Sequence, residues 1–299
     1  MLEFQTLELE HIPLLQPFFP VRGARLCDAT FGVVFLWRGF NRTQFAIENG
    51  ALYLKMRIPG GGIAFSVLPK GEVLPGNGEP GLYEPLAAYC ARENIPLIFV
   101  LVPAEELPAI QARFPGARAK SSRDWCDYLY LSEEMRFFRG KKWNGQRNHV
   151  NRFCRQYPDW RFEVLDASNL GEAERFFQEI TEKYPKHNTM LAEEHDMTLE
   201  LFHHYEAYRQ VGGLLRVGET IVGLSIGEVA MDTLFVHIEK ADREYSGVYP
   251  MLVNQFALAF AGEGVPYINR EEDTGDPGLR SSKLSYHPAA LLEKFMVHV

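Results

Sequence analysis

The chain has 299 residues, 46% of them hydrophobic, and a formal net charge of -8 at pH 7. This composition excludes an intrinsically disordered chain, and the acidic balance argues against a protein that coats nucleic acid generally. The length favours two domains. No apolar run approaches the roughly 18 residues of a membrane span, and the first residues lack a signal-peptide pattern. We therefore expect a cytoplasmic protein with no transmembrane segment.

The first half of the chain predicts a mixed α/β domain. Apolar runs flank Asn49-Gly50, a dipeptide typical of hairpin turns, and Asp28 is a good N-cap for the apolar helix that follows it. In chain order, we predict helices over 8–16 and from 28, strands over 44–47, 52–56 and 63–68, a helix over 82–92, a strand over 96–102, a helix over 105–113 and a strand over 127–131.

The second half repeats this order of elements. We predict a strand over 161–165, helices over 172–183 and 198–208, a three-strand meander over 213–217, 220–228 and 233–238, a helix over 249–260, and strands over 266–268 and 292–297. Two halves with one order indicate a tandem duplication of one fold, with a boundary near Leu131. The sequence therefore predicts one domain over 1–131 and a second over 132–299.

A dense polar segment, residues 269–288, follows the short apolar run 265–268. It combines carboxylates, arginines, a lysine and a tyrosine. Polar groups at the end of a strand are typical of a functional site. A solvated turn before a last helix is the alternative.

Several spaced motifs carry a family resemblance. They are Tyr130-Leu131-Ser132, Arg147-Asn148, Arg152-Phe153, Gly227-Glu228, His237-Ile238-Glu239-Lys240-Ala241, Asn269-Arg270-Glu271-Glu272-Asp273, Leu279-Arg280, Lys283, Tyr286 and Pro288. Together they resemble an uncharacterised family related to the C-terminal domain of phosphatidylglycerol lysyltransferases. The tandem order also resembles the Fem-type aminoacyltransferases, and each half resembles the Gcn5-related N-acetyltransferase (GNAT) fold.

The resemblance implies an α/β fold with two tandem GNAT-like domains, each a mixed, mostly antiparallel sheet flanked by helices. It implies an acyltransferase that moves an aminoacyl or acyl group from an ester or thioester to an amine or hydroxyl. Such an enzyme must orient donor and acceptor, deprotonate the nucleophile and stabilise the oxyanion. We expect the active site in the second domain, facing the cleft between domains.

Five residues are catalytic candidates for this transfer. Glu239 and Asp273 follow apolar strands, and either could hold a cationic amine or act as the base. Arg280 and Lys283 lie three residues apart on a predicted helix, where they could clamp an anion or oxyanion. Tyr286 could donate a proton to the leaving group. The alternative for Asp273 is an ion pair with Arg280 that fixes the loop.

Six further residues are candidates for substrate binding, namely His237, Lys240, Tyr249, Asn269, Arg270 and Glu271. His237 is flanked by apolar residues on a strand, so the alternative is a core histidine whose hydrogen bonds are satisfied within the protein. Tyr249 also fits an aromatic at the edge of the core. Glu239 and Lys240 are adjacent on a strand and should face opposite ways, so at most one points inward.

Two glycine segments bear on an acyl-coenzyme A donor. In acetyltransferases of this fold, a glycine loop before a helix offers backbone N–H groups to the coenzyme pyrophosphate. The corresponding segment here, 243–248, has one glycine displaced by a position, so the loop is degenerate. Gly76, Gly78 and Gly81 form a weak pattern that also fits an ordinary loop.

A basic segment in this acidic chain favours an aminoacyl-tRNA donor instead. Its candidates for binding tRNA phosphates are Lys141, Lys142, Arg147, Arg152 and Arg155. Lys141, Arg152 and Arg155 share one face at helical spacing. A solvated linker helix that braces two domains is the alternative. The co-substrate is thus aminoacyl-tRNA or acyl-coenzyme A, and no tightly bound cofactor is expected.

No metal site is expected. The cysteines, Cys27, Cys90, Cys126 and Cys154, are scattered, and the histidine- and acid-rich run 187–204 fits the solvated face of a helix. The sequence therefore predicts a transferase that moves an aminoacyl group from aminoacyl-tRNA to an amine or hydroxyl of a lipid or small molecule. An acyl-coenzyme A-dependent N-acyltransferase and a non-catalytic ligand-binding protein are the alternatives. The oligomeric state stays open.

Overall fold

The computed structural model describes residues 1–19, 25–58, 60–70, 81–185 and 189–299, without the side chains of 189–192. The chain forms two compact units. Unit 1 comprises Met1–Asp127, Glu272–Gly275 and Leu292–Val299, and unit 2 comprises Tyr128–Glu271 and Asp276–Leu291. Two segments of the second half thus belong to unit 1, which a single division after residue 131 does not anticipate.

The described chain contains both helices and strands. Up to residue 131 they are β1 (Gln5–Thr6), α1 (Ile12–Leu15), α2 (Phe31–Leu36), β2 (Gln44–Glu48), β3 (Ala51–Arg57), β4 (Ile63–Pro69), α3 (Glu84–Glu93), β5 (Ile98–Pro103), α4 (Leu107–Arg113), β6 (Arg118–Ser121) and β7 (Asp127–Leu131). The next elements are α5 (Ser132–Phe137), α6 (Asn144–Gln156), β8 (Trp160–Val164), α7 (Leu170–Lys183), α8 (Thr189–His203), α9 (Tyr205–Tyr208), β9 (Val211–Val217), β10 (Thr220–Ala230) and β11 (Thr233–Ala241). The last are α10 (Val248–Phe260), β12 (Tyr267–Asn269), α11 (Pro277–Leu284), β13 (Ala290–Leu292) and β14 (Lys294–His298). Among the described residues, no helix is long and apolar enough to cross a bilayer.

Unit 1 is built on a seven-stranded sheet with the order β1-β2-β3-β4-β5-β14-β6. Neighbouring strands pair antiparallel, except that β4 and β5 run parallel and pair at Phe65 and Phe99. The turn between β2 and β3 is the predicted hairpin, with Asn49 and Gly50 both at positive φ. Tyr53, Phe65 and Phe99 are buried in the core of this unit.

The C-terminal strand β14 lies inside the unit 1 sheet, between β5 and β6. The predicted final strand over 292–297 corresponds to β14, which begins at Lys294, whereas β13 ends at Leu292 and lies in the other sheet. Val297 is fully buried. The buried ammonium of Lys294 lies 2.7 Å from Asp127 and 3.0 Å from Glu272, and it also contacts Asp28. These contacts hold the strand in place.

Unit 2 is built on a second seven-stranded sheet with the order β13-β7-β12-β11-β10-β9-β8. The predicted meander forms β9, β10 and β11. Strand β11 runs parallel to β12 over three residue pairs, the last being Phe235 with Asn269. Because β12 ends there while β11 continues to Ala241, the second part of β11 has no partner in β12.

A β-bulge in β11 lies where the two parallel strands part. Ile226 pairs with Ile238 and Gly227 pairs with Val236, so His237 is the extra residue. A side-chain carbon on Gly227 would lie 2.0 Å from the carbonyl oxygen of Phe235. Only glycine fits this close approach of the two backbones.

Helix α10 packs on the unit 2 sheet. Its Val253 and Phe256 belong to the same core cluster as Leu234 and Val236 of β11. The apolar helix predicted over 249–260 is thus confirmed, whereas the helix predicted over 198–208 is two helices that break at His204. Both units have the predicted α/β fold, in which a mixed, mostly antiparallel sheet is flanked by helices.

Gly227→Ala should destabilise the protein by about 2 kcal/mol or more, because the added methyl group would overlap the backbone of β11. Urea unfolding followed by circular dichroism measures this change. Gly262→Ala is the matched control, since an added carbon there meets nothing within 4 Å, and it should unfold at or slightly above the wild-type midpoint. A wild-type midpoint for Gly227→Ala would contradict the bulge geometry.

Candidate functional site

His237, the extra residue of the β11 bulge, lies between two carboxylates in unit 2. Its Nδ1 is 2.7 Å from Glu271 Oε1, and its Nε2 is 3.2 Å from Glu228 Oε1. Burial opposes the protonated ring, but hydrogen bonds to both glutamates and their charges raise the pKa of His237 to about 9. His237 is therefore a cationic core histidine at neutral pH. This fits the alternative left open by the sequence, a core histidine whose ring nitrogens both have hydrogen-bond partners.

Glu271 reaches His237 from a strained backbone position. Its φ of 56° lies in the left-handed region, which residues other than glycine seldom adopt. The side-chain oxygen of Asn269, a fully buried residue, accepts a hydrogen bond from the Glu271 N–H at 2.6 Å. Asn269 therefore holds the turn that aims Glu271 at His237.

Glu239 and Arg270 form a partly buried ion pair beside this turn. Arg270 donates from Nε at 3.1 Å and from Nη2 at 2.6 Å, both to Oε2 of Glu239. The guanidinium also lies 4.8 Å from the ring centroid of Tyr286 and 5.9 Å from that of Tyr130. Two hydrogen bonds and two rings fix its orientation.

Two buried polar atoms at this ion pair lack a hydrogen-bond partner in the described part of the chain. They are Nη1 of Arg270 and Oγ of Ser225, which lies opposite Glu239 in the register of β10 and β11. Unsatisfied buried donors cost free energy unless water or a ligand binds them. Ser225, Glu239 and Arg270, called here the Glu239–Arg270 site, can thus offer two donors and a carboxylate oxygen to a ligand.

The sequence did not single out Ser225 or assign a role to Glu228. A signal for Ser225 was present, because it is the one hydroxyl in the apolar stretch from Ile221 to Ile226. Glu228 stood in a motif of the resemblance, next to Gly227, but its partner His237 lies on the neighbouring strand. Spacing along the chain does not reveal such a pair.

Lys283 and Tyr286 are buried in unit 2. Nζ of Lys283 donates to the backbone oxygen of Arg270 at 2.5 Å, and the hydroxyl of Tyr130 donates to the backbone oxygen of Lys283 at 2.9 Å. These bonds tie α11 to the segment after β12 and to β7. Tyr286 packs in the core cluster, and burial raises the pKa of its hydroxyl, although nearby Arg270 opposes the shift.

Asp273 and Arg280 belong to different units. Asp273 is fully buried in unit 1, where it accepts a hydrogen bond from Nη1 of Arg123 at 3.2 Å and one from the Gly275 N–H at 2.9 Å. These two bonds hold the loop at Asp273, and Arg123 is a partner that the sequence did not suggest. Arg280 lies half-buried on α11 in unit 2.

Lys240 and Glu239 contact different elements, as adjacent residues of a strand should. Lys240 donates to Oε1 of Glu194 on α8 at 2.5 Å, whereas Glu239 binds Arg270. Tyr249, on α10, is half-buried against an apolar cluster that includes Leu252. That packing fits the core-edge reading of Tyr249.

The predicted anion-binding residues fall into two groups. Arg147 donates to the backbone oxygens of Phe138 and Gly140, and Lys142 pairs with Glu134 at 2.6 Å. These two therefore serve the local structure around α5 and α6. The other three, Lys141, Arg152 and Arg155, are exposed, and none has an ion pair with another described residue. We call these three residues the α6 cation surface.

The N-terminus of α10 is covered by α6. A side-chain carbon on Gly247, the residue before α10, would lie 2.6 Å from the carbonyl oxygen of His149. The Ser246 N–H donates to the hydroxyl of Tyr157, and the Val248 N–H donates to the Tyr245 carbonyl oxygen. Position 250 is a proline and has no N–H to offer. This helix end is therefore poor in donors for a phosphate.

A group of metal-type ligands lies in unit 1, where the scattered cysteines gave no sign of it. One atom each of Cys27, Asp28, Asp127 and Glu272 lies within 4.8 Å of the others. The Lys294 ammonium contacts all four and supplies a cation there. Burial raises the pKa of Asp127 to about 7, although Lys294 opposes this shift.

Two of the sequence patterns lie wholly or partly outside the described residues. They are the glycine pattern, at positions 76 and 78, and the histidine-rich run, at position 187.

His237→Gln should cost stability in a pH-dependent way. A histidine whose pKa is raised from 6.5 to about 9 stabilises the fold fully below pH 6.5, and this contribution is lost as the pH rises through 9. The difference in unfolding free energy between wild type and variant should thus shrink by up to about 3 kcal/mol between pH 6 and pH 10. Urea unfolding at both pH values measures it, with exposed His204→Gln as control. An equal difference at both pH values would contradict a charged His237.

Comparison with known proteins supports this architecture. A conserved protein of unknown function from Bacteroides thetaiotaomicron is 28% identical, with a TM-score of 0.89 over 100% of both chains. L-PGS from Bacillus licheniformis has a TM-score of 0.69 at 14% identity, over 98% of this chain and 92% of that one, which shows the fold.

A sequence relative and a family match complete the comparison. The uncharacterised protein MYCGA3080 of Mycoplasmoides gallisepticum is 25% identical over 178 residues, which are 58% of this chain and 56% of that protein. Residues 22–298 match the family described as phosphatidylglycerol lysyltransferase, C-terminal. The resemblance predicted from the spaced motifs is confirmed, and the chain belongs to the phosphatidylglycerol lysyltransferase C-terminal family.

Proposed function

We propose that the protein transfers an aminoacyl group from aminoacyl-tRNA to an amine or hydroxyl of a lipid or small molecule. One observation carries this proposal. Helix α6 covers the N-terminus of α10, the position where acetyltransferases of this fold bind coenzyme pyrophosphate, and presents exposed cations to solvent instead. The reaction for which the family is named, lysyl transfer to phosphatidylglycerol, makes lysine the first donor group to test and this lipid the first acceptor.

The covered helix end argues against coenzyme A as the donor. A pyrophosphate at a helix N-terminus needs several free backbone N–H groups that point outward. Here the Ser246 and Val248 N–H groups already donate to protein acceptors, and Pro250 has no N–H group. The His149 carbonyl oxygen also faces Gly247. A carbonyl oxygen carries partial negative charge, so it would repel a phosphate.

The α6 cation surface supports a tRNA donor. Lys141, Arg152 and Arg155 are exposed and carry positive charge in a chain whose net charge is -8. Cations held without acidic partners attract phosphates and release counterions when they bind. A tRNA as donor also places the reaction in the cytoplasm, where we propose that the protein acts.

The Glu239–Arg270 site supplies the chemistry. Oε2 of Glu239 takes both bonds from Arg270, so Oε1 can accept a hydrogen bond from the attacking amine or hydroxyl and orient its lone pair. Nη1 of Arg270 and the hydroxyl of Ser225 can donate to the ester carbonyl oxygen as negative charge develops. The nucleophile adds to the ester carbon and gives its proton to Glu239; the bond between that carbon and the 3′ oxygen of the tRNA then breaks, and the proton passes to this oxygen, which leaves as the 3′ hydroxyl.

Replacement of the α6 cation surface by alanine at Lys141, Arg152 and Arg155 should weaken tRNA binding about tenfold or more at physiological salt. It should also lower the slope of log affinity against log salt by about 2, because fewer counterions are released. Filter binding of labelled, mixed aminoacyl-tRNA across a salt series measures both quantities, with an acyl-coenzyme A pool as competitor.

The matched control for this experiment is Arg118→Ala with Lys120→Ala, two exposed cations on β6 of unit 1. This variant should bind tRNA like wild type, although it loses two positive charges against three in the triple variant. Equal binding by the triple variant and wild type would overturn the tRNA proposal. Displacement of the tRNA by acyl-coenzyme A would instead favour the N-acyltransferase.

Glu239→Gln should lower aminoacyl transfer about 100-fold and leave tRNA binding unchanged, because the amide cannot accept the proton of the nucleophile. The assay follows the labelled amino acid from tRNA into phosphatidylglycerol vesicles or a pool of small-molecule amines. Glu219→Gln, at a side chain that is 94% exposed, is the control. Transfer by Glu239→Gln at the wild-type rate would exclude this site, and tRNA binding without transfer by wild type would favour a binding protein.

A further inference from the structure

We infer that unit 1 holds a second ligand site, a pocket between β4 and β5 that binds a small primary ammonium ion with an apolar chain. The pocket is separate from the Glu239–Arg270 site, which belongs to unit 2. The inference therefore does not depend on the proposed transfer reaction, and its test uses different residues.

The pocket arises where two parallel strands part. Strands β4 and β5 share one residue pair, Phe65 with Phe99, and diverge beyond it. Leu101 of β5 adopts a φ of 59°, which bends the strand next to this point. The opening has about 480 Å³ of empty space, its mouth included, and Leu68 and Val102 line it.

Tyr83 brings an unsatisfied hydroxyl to the pocket. The residue lines the pocket and is 8% exposed, and its hydroxyl oxygen is buried with no hydrogen-bond partner within the described residues. Its ring is fixed by edge contacts with Phe99 at 5.3 Å and Phe114 at 6.4 Å. Because a rigid ring cannot turn the hydroxyl toward another protein group, a ligand is its natural partner.

Glu106 brings an uncompensated carboxyl group to the same pocket. It forms no ion pair with a described residue, and loss of hydration together with nearby Glu105 raises its pKa to about 8. Its charge acts on the Tyr83 hydroxyl, although the two groups form no hydrogen bond. Asp28, the other carboxylate of the lining, already pairs with Lys294.

A primary ammonium ion is the ligand that these groups would recognise. It has donors for both the Tyr83 oxygen and the Glu106 carboxylate, and its positive charge balances the carboxylate that burial disfavours. Apolar residues such as Leu68, Val102 and Ile110 would cover an alkyl chain. Among its described residues, the lining contains no lysine or arginine that could bind an anion.

The test is a titration of the full chain with n-butylammonium, followed by ligand-observed NMR, with n-butanol as the uncharged probe of similar shape. Saturable binding of the ammonium, at least tenfold tighter than that of the alcohol, is the expected result. Glu106→Gln should weaken ammonium binding at least tenfold and Tyr83→Phe several-fold, because each removes one acceptor. Glu105→Gln, at the exposed neighbour, should bind like wild type.

Equal binding of the alcohol and the ammonium would overturn the inference, as would wild-type affinity in Glu106→Gln. The comparison of the two probes on the wild-type protein decides the matter even if a variant fails to fold. Aminoacyl transfer by Glu106→Gln at the wild-type rate is expected, so loss of amine binding and loss of transfer can be told apart.

Discussion

The early end of the pairing between β11 and β12 determines the candidate site of unit 2. After Phe235 and Asn269 the two strands have no further shared hydrogen bonds, so the chain beyond β12 must turn. Asn269 stabilises this turn through its bond to the Glu271 N–H. As a result, two consecutive residues reach different partners on β11, since Arg270 binds Glu239 and Glu271 binds His237. The bulge at His237 makes the second contact possible, because it changes the alternation of side chains along β11.

The charged side chains around the turn after β12 are arranged so that most of their charges compensate one another. Cationic His237 lies between two glutamates, and Arg270 faces Glu239. Taking such groups out of water costs several kcal/mol per ion, so buried pairs are weak evidence of stability. Arg270 also leaves Nη1 unsatisfied, which adds a further cost that apolar residues would avoid. An arrangement that costs stability and still offers a fixed donor is what a binding or catalytic site requires.

The sequence predicted the types of the secondary-structure elements well, but it predicted the contact partners of strands and charged side chains poorly. The Asn49-Gly50 hairpin, the meander and helix α10 follow from turn chemistry and periodicity, which are local properties. The position of β14 in the unit 1 sheet depends on Lys294 meeting carboxylates from three distant segments, and no local pattern encodes that. The same limit applies to the polar segment after β12. Its residue types indicated a site, but only the fold shows that Asp273 binds Arg123 in unit 1 while Arg270 binds Glu239 in unit 2.

The displaced glycine before α10 shows how one residue type can serve two different constraints. In a phosphate loop, glycine lets the backbone approach an anion. Gly247 instead has a φ of 84° and lets the backbone of α6 approach, because any side chain would meet the carbonyl oxygen of His149. The segment is therefore a helix-packing contact that retains a glycine, and its departure from the coenzyme pattern has a structural cause. Since Phe153 of α6 is fully buried in the same contact, Arg152 and Arg155 on either side are left exposed to solvent. The packing of α6 on the N-terminus of α10 thus covers one position for a phosphate, and it leaves the α6 cation surface exposed as another.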